Sequence, residues 1–109
     1  MKMIMAIIQD KDANRLSNIL IDNNVRATKL SSTGGFLKSG NATFIIGVED
    51  HRVEEVIELI KVASKARTEY ITSPLTMDMS VDAQFAYPIE VEVGGATIFV
   101  LPVEGFYHF

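Results

Sequence analysis

Six apolar residues in unbroken succession, Met3-Ile4-Met5-Ala6-Ile7-Ile8, stand just before a polar Gln9-Asp10. A run this short and this uniformly apolar predicts a β-strand covered on both faces, because a half-exposed strand alternates with polar residues. The fold must therefore bury both sides of this strand. The run is about a third of the ~20 residues a membrane-spanning helix needs. It also lacks the longer apolar region and small-residue cleavage site of a secretory signal. The chain is accordingly expected to be cytoplasmic.

The remaining pattern places this strand in a mixed fold. Ala13, Leu16, Ile19 and Leu20 mark one face of a helix, with Asp10 or Asp12 as its expected N-cap and Asp22-Asn23-Asn24 as its stop. Val25 to Thr33 is extended in character, broken by Gly34-Gly35. Ala42 to Val48 is apolar and β-branched, the next strand. Val53, Val56, Ile57, Ile60 and Ala63 repeat at helical spacing behind Asp50, the expected cap. Ile89-Glu90-Val91-Glu92-Val93 alternates strictly, Gly94-Gly95 turns, and Ala96 to Val103 is a last apolar strand. With the last two segments read as an extension plus a core strand, the order is βαββαβ, the ferredoxin-like split βαβ of the α+β class, an antiparallel sheet with two helices on one face. Residues 1–109 are expected to form one domain with a short loop at 34–41 and a long connection at 68–87. Long connections in compact domains are often functional.

Composition excludes several functions. The chain of 109 residues has no cysteine, which removes disulfides, thiolate metal sites and thiol catalysis. Ten basic against fourteen acidic residues leave a net charge of −4. No basic excess exists to neutralise phosphates along a nucleic acid or an anionic membrane, so neither is an expected partner. One small anionic ligand remains possible, because it needs only a local pocket.

Catalytic chemistry finds little support. The acidic residues fall at helix starts and on wet strand positions, where caps and solvated faces account for them. His51 and His108 have no neighbour at metal-ligand spacing, and two histidines lend a serine triad weak support. No metal site and no cofactor is expected.

The segment around Gly34-Gly35 carries a different signal. Paired glycines let backbone N–H groups point at an anion and let a ligand approach closely. Arg26, Lys29 and Lys38 bring positive charge nearby. Phe36 beside the glycines suits stacking on a base. The segment is neither a Walker A loop nor a Rossmann fingerprint, and a hairpin loop whose Phe36 covers the core explains it equally well. Phe106, Tyr107 and Phe109 form a second aromatic group. They pack against the domain's own edge or a subunit interface, or they wall a pocket shared between subunits.

Several blocks together resemble the PII-like cyclic-di-AMP receptor proteins (PstA-type) of Gram-positive bacteria. They are Met1-Lys2-Met3-Ile4, Arg26-Ala27-Thr28-Lys29-Leu30, Thr33-Gly34-Gly35-Phe36-Leu37, Gly40-Asn41 and Glu90-Val91-Glu92-Val93-Gly94-Gly95-Ala96-Thr97. The likeness runs to Phe109. It implies a ferredoxin-like fold, a homotrimer, and cyclic di-AMP bound at clefts between neighbouring subunits. Carried over position by position, it implies ligand contacts from Arg26, Thr28, Gly35, Phe36, Leu37, Asn41, Gly47 and Phe99. A polar position near the C-terminus, often Gln in relatives, is His108 here. The resemblance implies a non-enzymatic second-messenger receptor acting on a downstream protein by reshaping the 34–41 and 68–87 loops. It does not extend to ATP or 2-oxoglutarate, because the long PII loop between the second and third strands is short here. The residue chemistry agrees: glycine amides and a guanidinium can hold phosphate, Phe36 can stack on adenine, and the Asn41 amide can pair with an adenine edge. Two rival readings are a PII-like adaptor that binds protein without nucleotide and a small enzyme on a ferredoxin-like scaffold.

Overall fold

A computed structural model describes residues 1–31, 40–71 and 89–109. In chain order the elements are β1 (Lys2–Gln9), α1 (Asp10–Asp22), β2 (Ala27–Ser31), β3 (Asn41–Val48), a 3-10 turn (Asp50–Arg52), α2 (Val53–Ser64), β4 (Arg67–Ile71), β5 (Ile89–Val93) and β6 (Ala96–Pro102). Four strands form one antiparallel sheet in the order β2-β3-β1-β6. The ferredoxin-like expectation holds, with β1 at the centre as its apolar run predicts.

The alternation of β1 divides the sheet into two faces. Ile4, Ala6 and Ile8 are buried together with Ala42, Phe44 and Ile46 of β3. Ala13, Leu16 and Leu20 of α1 and Val56, Ile60 and Ala63 of α2 close over them, so both helices lie on this one face. Phe44 is the largest side chain in this layer, and its truncation to alanine costs about 3–5 kcal/mol. Met3, Met5 and Ile7 point to the other face, where they are only partly covered. Register places Ile45, Phe99 and Leu101 on that open face beside them, with Phe99 51% exposed and Leu101 39%. The sequence calls for cover on both faces of β1; a single chain supplies it on one.

Helix ends differ from expectation. The α1 N-cap is Gln9, without a side-chain capping bond, while Asp12 turns inward to a buried position and a distant arginine. Asp50 opens the 3-10 turn rather than α2, and its carboxylate pairs with the Met1 amine at 2.9 Å. The expected stop of α1 is found: Asn23 is the C-cap and Asn24 adopts a left-handed conformation at φ 58°, which a short polar side chain tolerates.

The extension is a hairpin of its own. β4 pairs with β5 in a separate two-stranded sheet, from Arg67 opposite Val93 to Ile71 opposite Ile89. Residues 68–71 are therefore strand and not part of the connection expected at 68–87. Thr68, Tyr70 and Ile71 suit a strand, and their alternating partner, the Ile89–Val93 strand, supplies the ladder. The rest of that connection, and the loop at 34–39, lie outside the described residues.

Candidate ligand-binding site

The open sheet face gathers four of the six described residues singled out from the sequence. Thr28, Asn41, Gly47 and Phe99 all lie on it. Thr28 stands opposite Ile45, Ile45 opposite Met5, and Met5 opposite Phe99, one cross-strand row from edge to edge. Such direct partners share a face by the pleat of the sheet.

Two clefts open at opposite ends of this face. One, of about 460 Å³, is lined by Arg26, Thr28 and Gly47 together with Met3, Ile45 and Phe106. Arg26 precedes β2 and is exposed, where its guanidinium can meet an anion. Met3, Ile45 and Phe106 give the same cleft an apolar wall. The second, of about 380 Å³, is lined by Asn41, Gln9, Gly94, Gly95, Ile7 and Thr97. It is built from strand ends and a glycine turn, where backbone groups lie close to the surface. Gly94 and Gly95 have φ of 85° and 93°, conformations that favour glycine.

Phe99 and His108 line neither of these clefts. His108 is exposed in the tail, between Tyr107 and Phe109, whose rings stack at 6.5 Å. Gly35, Phe36 and Leu37 lie outside the described residues. Gln9 and the Gly94-Gly95 turn line a cleft with Asn41 that the sequence did not announce. The glycine pair was legible as a turn, but its closeness to Asn41 arises only from β1 pairing with both β3 and β6.

Other charged side chains are tied into ion pairs. Near the Asn41 cleft, Lys11 donates to Glu69 at 2.7 Å and holds that carboxyl below its ordinary range. Asp12, helped by Glu69, raises the Arg67 guanidinium above its usual value. Arg52 donates to Glu55 and to the Asn23 carbonyl, joining the end of α1 to the start of α2. The Arg52 bond lowers the Glu55 carboxyl. Among the described residues no group of three or more acidic or histidine side chains is placed to hold a metal, and no helix is long and apolar enough to cross a membrane.

Residues 1–109 match the family described as cyclic-di-AMP receptor. The chain belongs to the cyclic-di-AMP receptor family. A solved structure gives the same architecture: a functionally unknown protein from Pediococcus pentosaceus ATCC 25745 is 56% identical. The likeness covers 99% of this chain and 96% of that one, with a TM-score of 0.79.

Proposed function

We propose that this protein is a non-enzymatic receptor for cyclic di-AMP, a homotrimer that holds the ligand in clefts between neighbouring copies. The carrying observation is the separation of its two half-sites. Asn41 and Gly47 are six residues apart on one strand, about 20 Å at the usual rise. Arg26 and Thr28 sit at the Gly47 end, and Gly94-Gly95 at the Asn41 end. A neighbouring copy laid across the open face brings one chain's Arg26 end to the other's Asn41 end. The same contact covers Met3, Met5, Ile7 and Phe99, giving β1 its second covered face.

In this arrangement Arg26 meets a phosphate, Phe36 stacks on an adenine, and the Asn41 amide pairs with an adenine edge. Thr28, Gly35, Leu37, Gly47, Phe99 and His108 complete the contacts. Ligand seated there acts on the connection that leads from β4 to β5, and so on a downstream protein. It shifts that segment only by its difference in affinity for two arrangements.

Calorimetry of the full chain with cyclic di-AMP is the test. Saturable binding with the nucleotide recovered intact by mass spectrometry is expected. Absence of binding would favour the adaptor reading, and recovery of a linear product would favour an enzyme.

A further inference from the structure

Asp12 is fully buried on α1, and its carboxylate faces the root of the β4–β5 hairpin. Arg67, the first residue of β4, donates from Nη2 to Oδ1 at 2.8 Å and from Nη1 to Oδ2 at 3.4 Å. Arg15 stands farther off, at 3.9 Å, with its side chain more than half exposed. Arg67 Nη1 also donates to the Lys65 carbonyl at 3.2 Å.

The same guanidinium underlies the glycine turn. A Cβ at Gly94 would lie 2.7 Å from Arg67 Nη1 and 2.7 Å from the Lys65 carbonyl oxygen. The Ser64 carbonyl oxygen at 3.0 Å and the φ of 85° add to this crowding, so a side chain is excluded there even where the arginine moves. The Gly94 N–H donates to Gln9 Oε1 at 2.8 Å, and the Gly95 N–H donates to the Ser64 carbonyl. The opposite wall of the cleft is tied to the same short segment. The Asp10 N–H donates to the Gly40 carbonyl at 3.0 Å, one residue before Asn41. Gln9, Asp10 and Asp12 thus hold the glycine turn, the Asn41 strand end and the hairpin root within four residues of chain.

We propose that Arg67 is a positioning residue for ligand binding: fixed by buried Asp12, it sets the Gly94-Gly95 turn, so that the Asn41 cleft and the β4–β5 hairpin move together. This rests on the Asn41 cleft being half of the cyclic di-AMP site. It names the route by which an occupied cleft reaches the hairpin. The pair requires arginine, because only a planar fork can engage the carboxylate, the Lys65 carbonyl and the underside of the turn together.

Two variants of the full chain test it. Arg67→Lys keeps a cation opposite Asp12, so the buried carboxylate is not stranded, but loses the arm beneath Gly94. Gly94→Ala places a methyl group against that arm and against the Lys65 and Ser64 carbonyl oxygens. Amide hydrogen exchange at Gly94 and Gly95 is read without ligand, and cyclic di-AMP affinity is read by calorimetry. Each variant is expected to speed exchange at both glycines and to weaken binding by about tenfold. Unchanged exchange in folded Arg67→Lys, or a lowered melting temperature with unchanged affinity, would overturn the proposal. Exchange at the two glycines decides the positioning role even in a protein that binds no cyclic di-AMP, so the receptor reading can fail separately.

Discussion

Asn41 and Gly47 lie on the same face of the same strand, one in each of the two clefts. A strand cannot fold back to bring its own ends together. Both residues can serve one ligand only if a second copy supplies the other half. The apolar side chains left between them, Met3, Met5 and Ile45, are what such a copy would cover.

Met5 stands at the middle of that face, in the row that joins Thr28 to Phe99. Met5→Lys is expected to convert the proposed trimer of 12.1 kDa chains into folded monomers, because an ammonium group cannot be buried there without a partner. Light scattering with circular dichroism checks this. A wild-type protein that is already a stable monomer at micromolar concentration contradicts it.

Phe36→Ala is expected to weaken cyclic di-AMP binding by roughly ten- to a hundredfold, the loss of about 1–3 kcal/mol of base stacking, with the melting temperature held. Calorimetry and thermal melts run on one preparation separate the outcomes. A drop in melting temperature at unchanged affinity makes Phe36 a core residue.

Glu69 supplies a pH dependence whose sign is set by its partners. Its folded carboxyl is held below the ordinary value of 4.5 by the Lys11 hydrogen bond first, then by the Lys11 and Arg67 charges. The contribution to stability is therefore present above about pH 4.5 and lost as pH falls through the lower folded value. Carbon-detected NMR titration is expected to show Glu69 ionising below the ordinary range, and Lys11→Met is expected to move it upward. An unmoved Glu69 titration in Lys11→Met sinks this assignment.

Much of the fold was legible where the code is local. The apolar run of β1, the period of α2, the Asn23-Asn24 stop and the alternation of β5 each point to the element found, because each depends on neighbours within a turn or a pleat. What escaped depends on distant partners. Arg67 to Ile71 mixes charged and apolar residues, and its pairing strand arrives only at Ile89. Asp12 looks like a helix cap until Arg67, 55 residues on, reaches it. The candidate site depends on the same distinction. Arg26 announces itself by its charge and Thr28 only through the family resemblance, but their distance from Asn41 belongs to the sheet. The place of Gly94-Gly95 beside Asn41 needs two strand pairings at once.

The shared cleft is tested most directly by complementation. Arg26→Ala removes one half of each site and Asn41→Ala the other, so neither variant alone is expected to bind cyclic di-AMP well. Co-expressed with different tags and isolated as mixed oligomers, they are predicted to regain one intact cleft per mixed trimer and bind with near wild-type affinity. Mixed oligomers that bind no better than either parent would contradict a site built between copies.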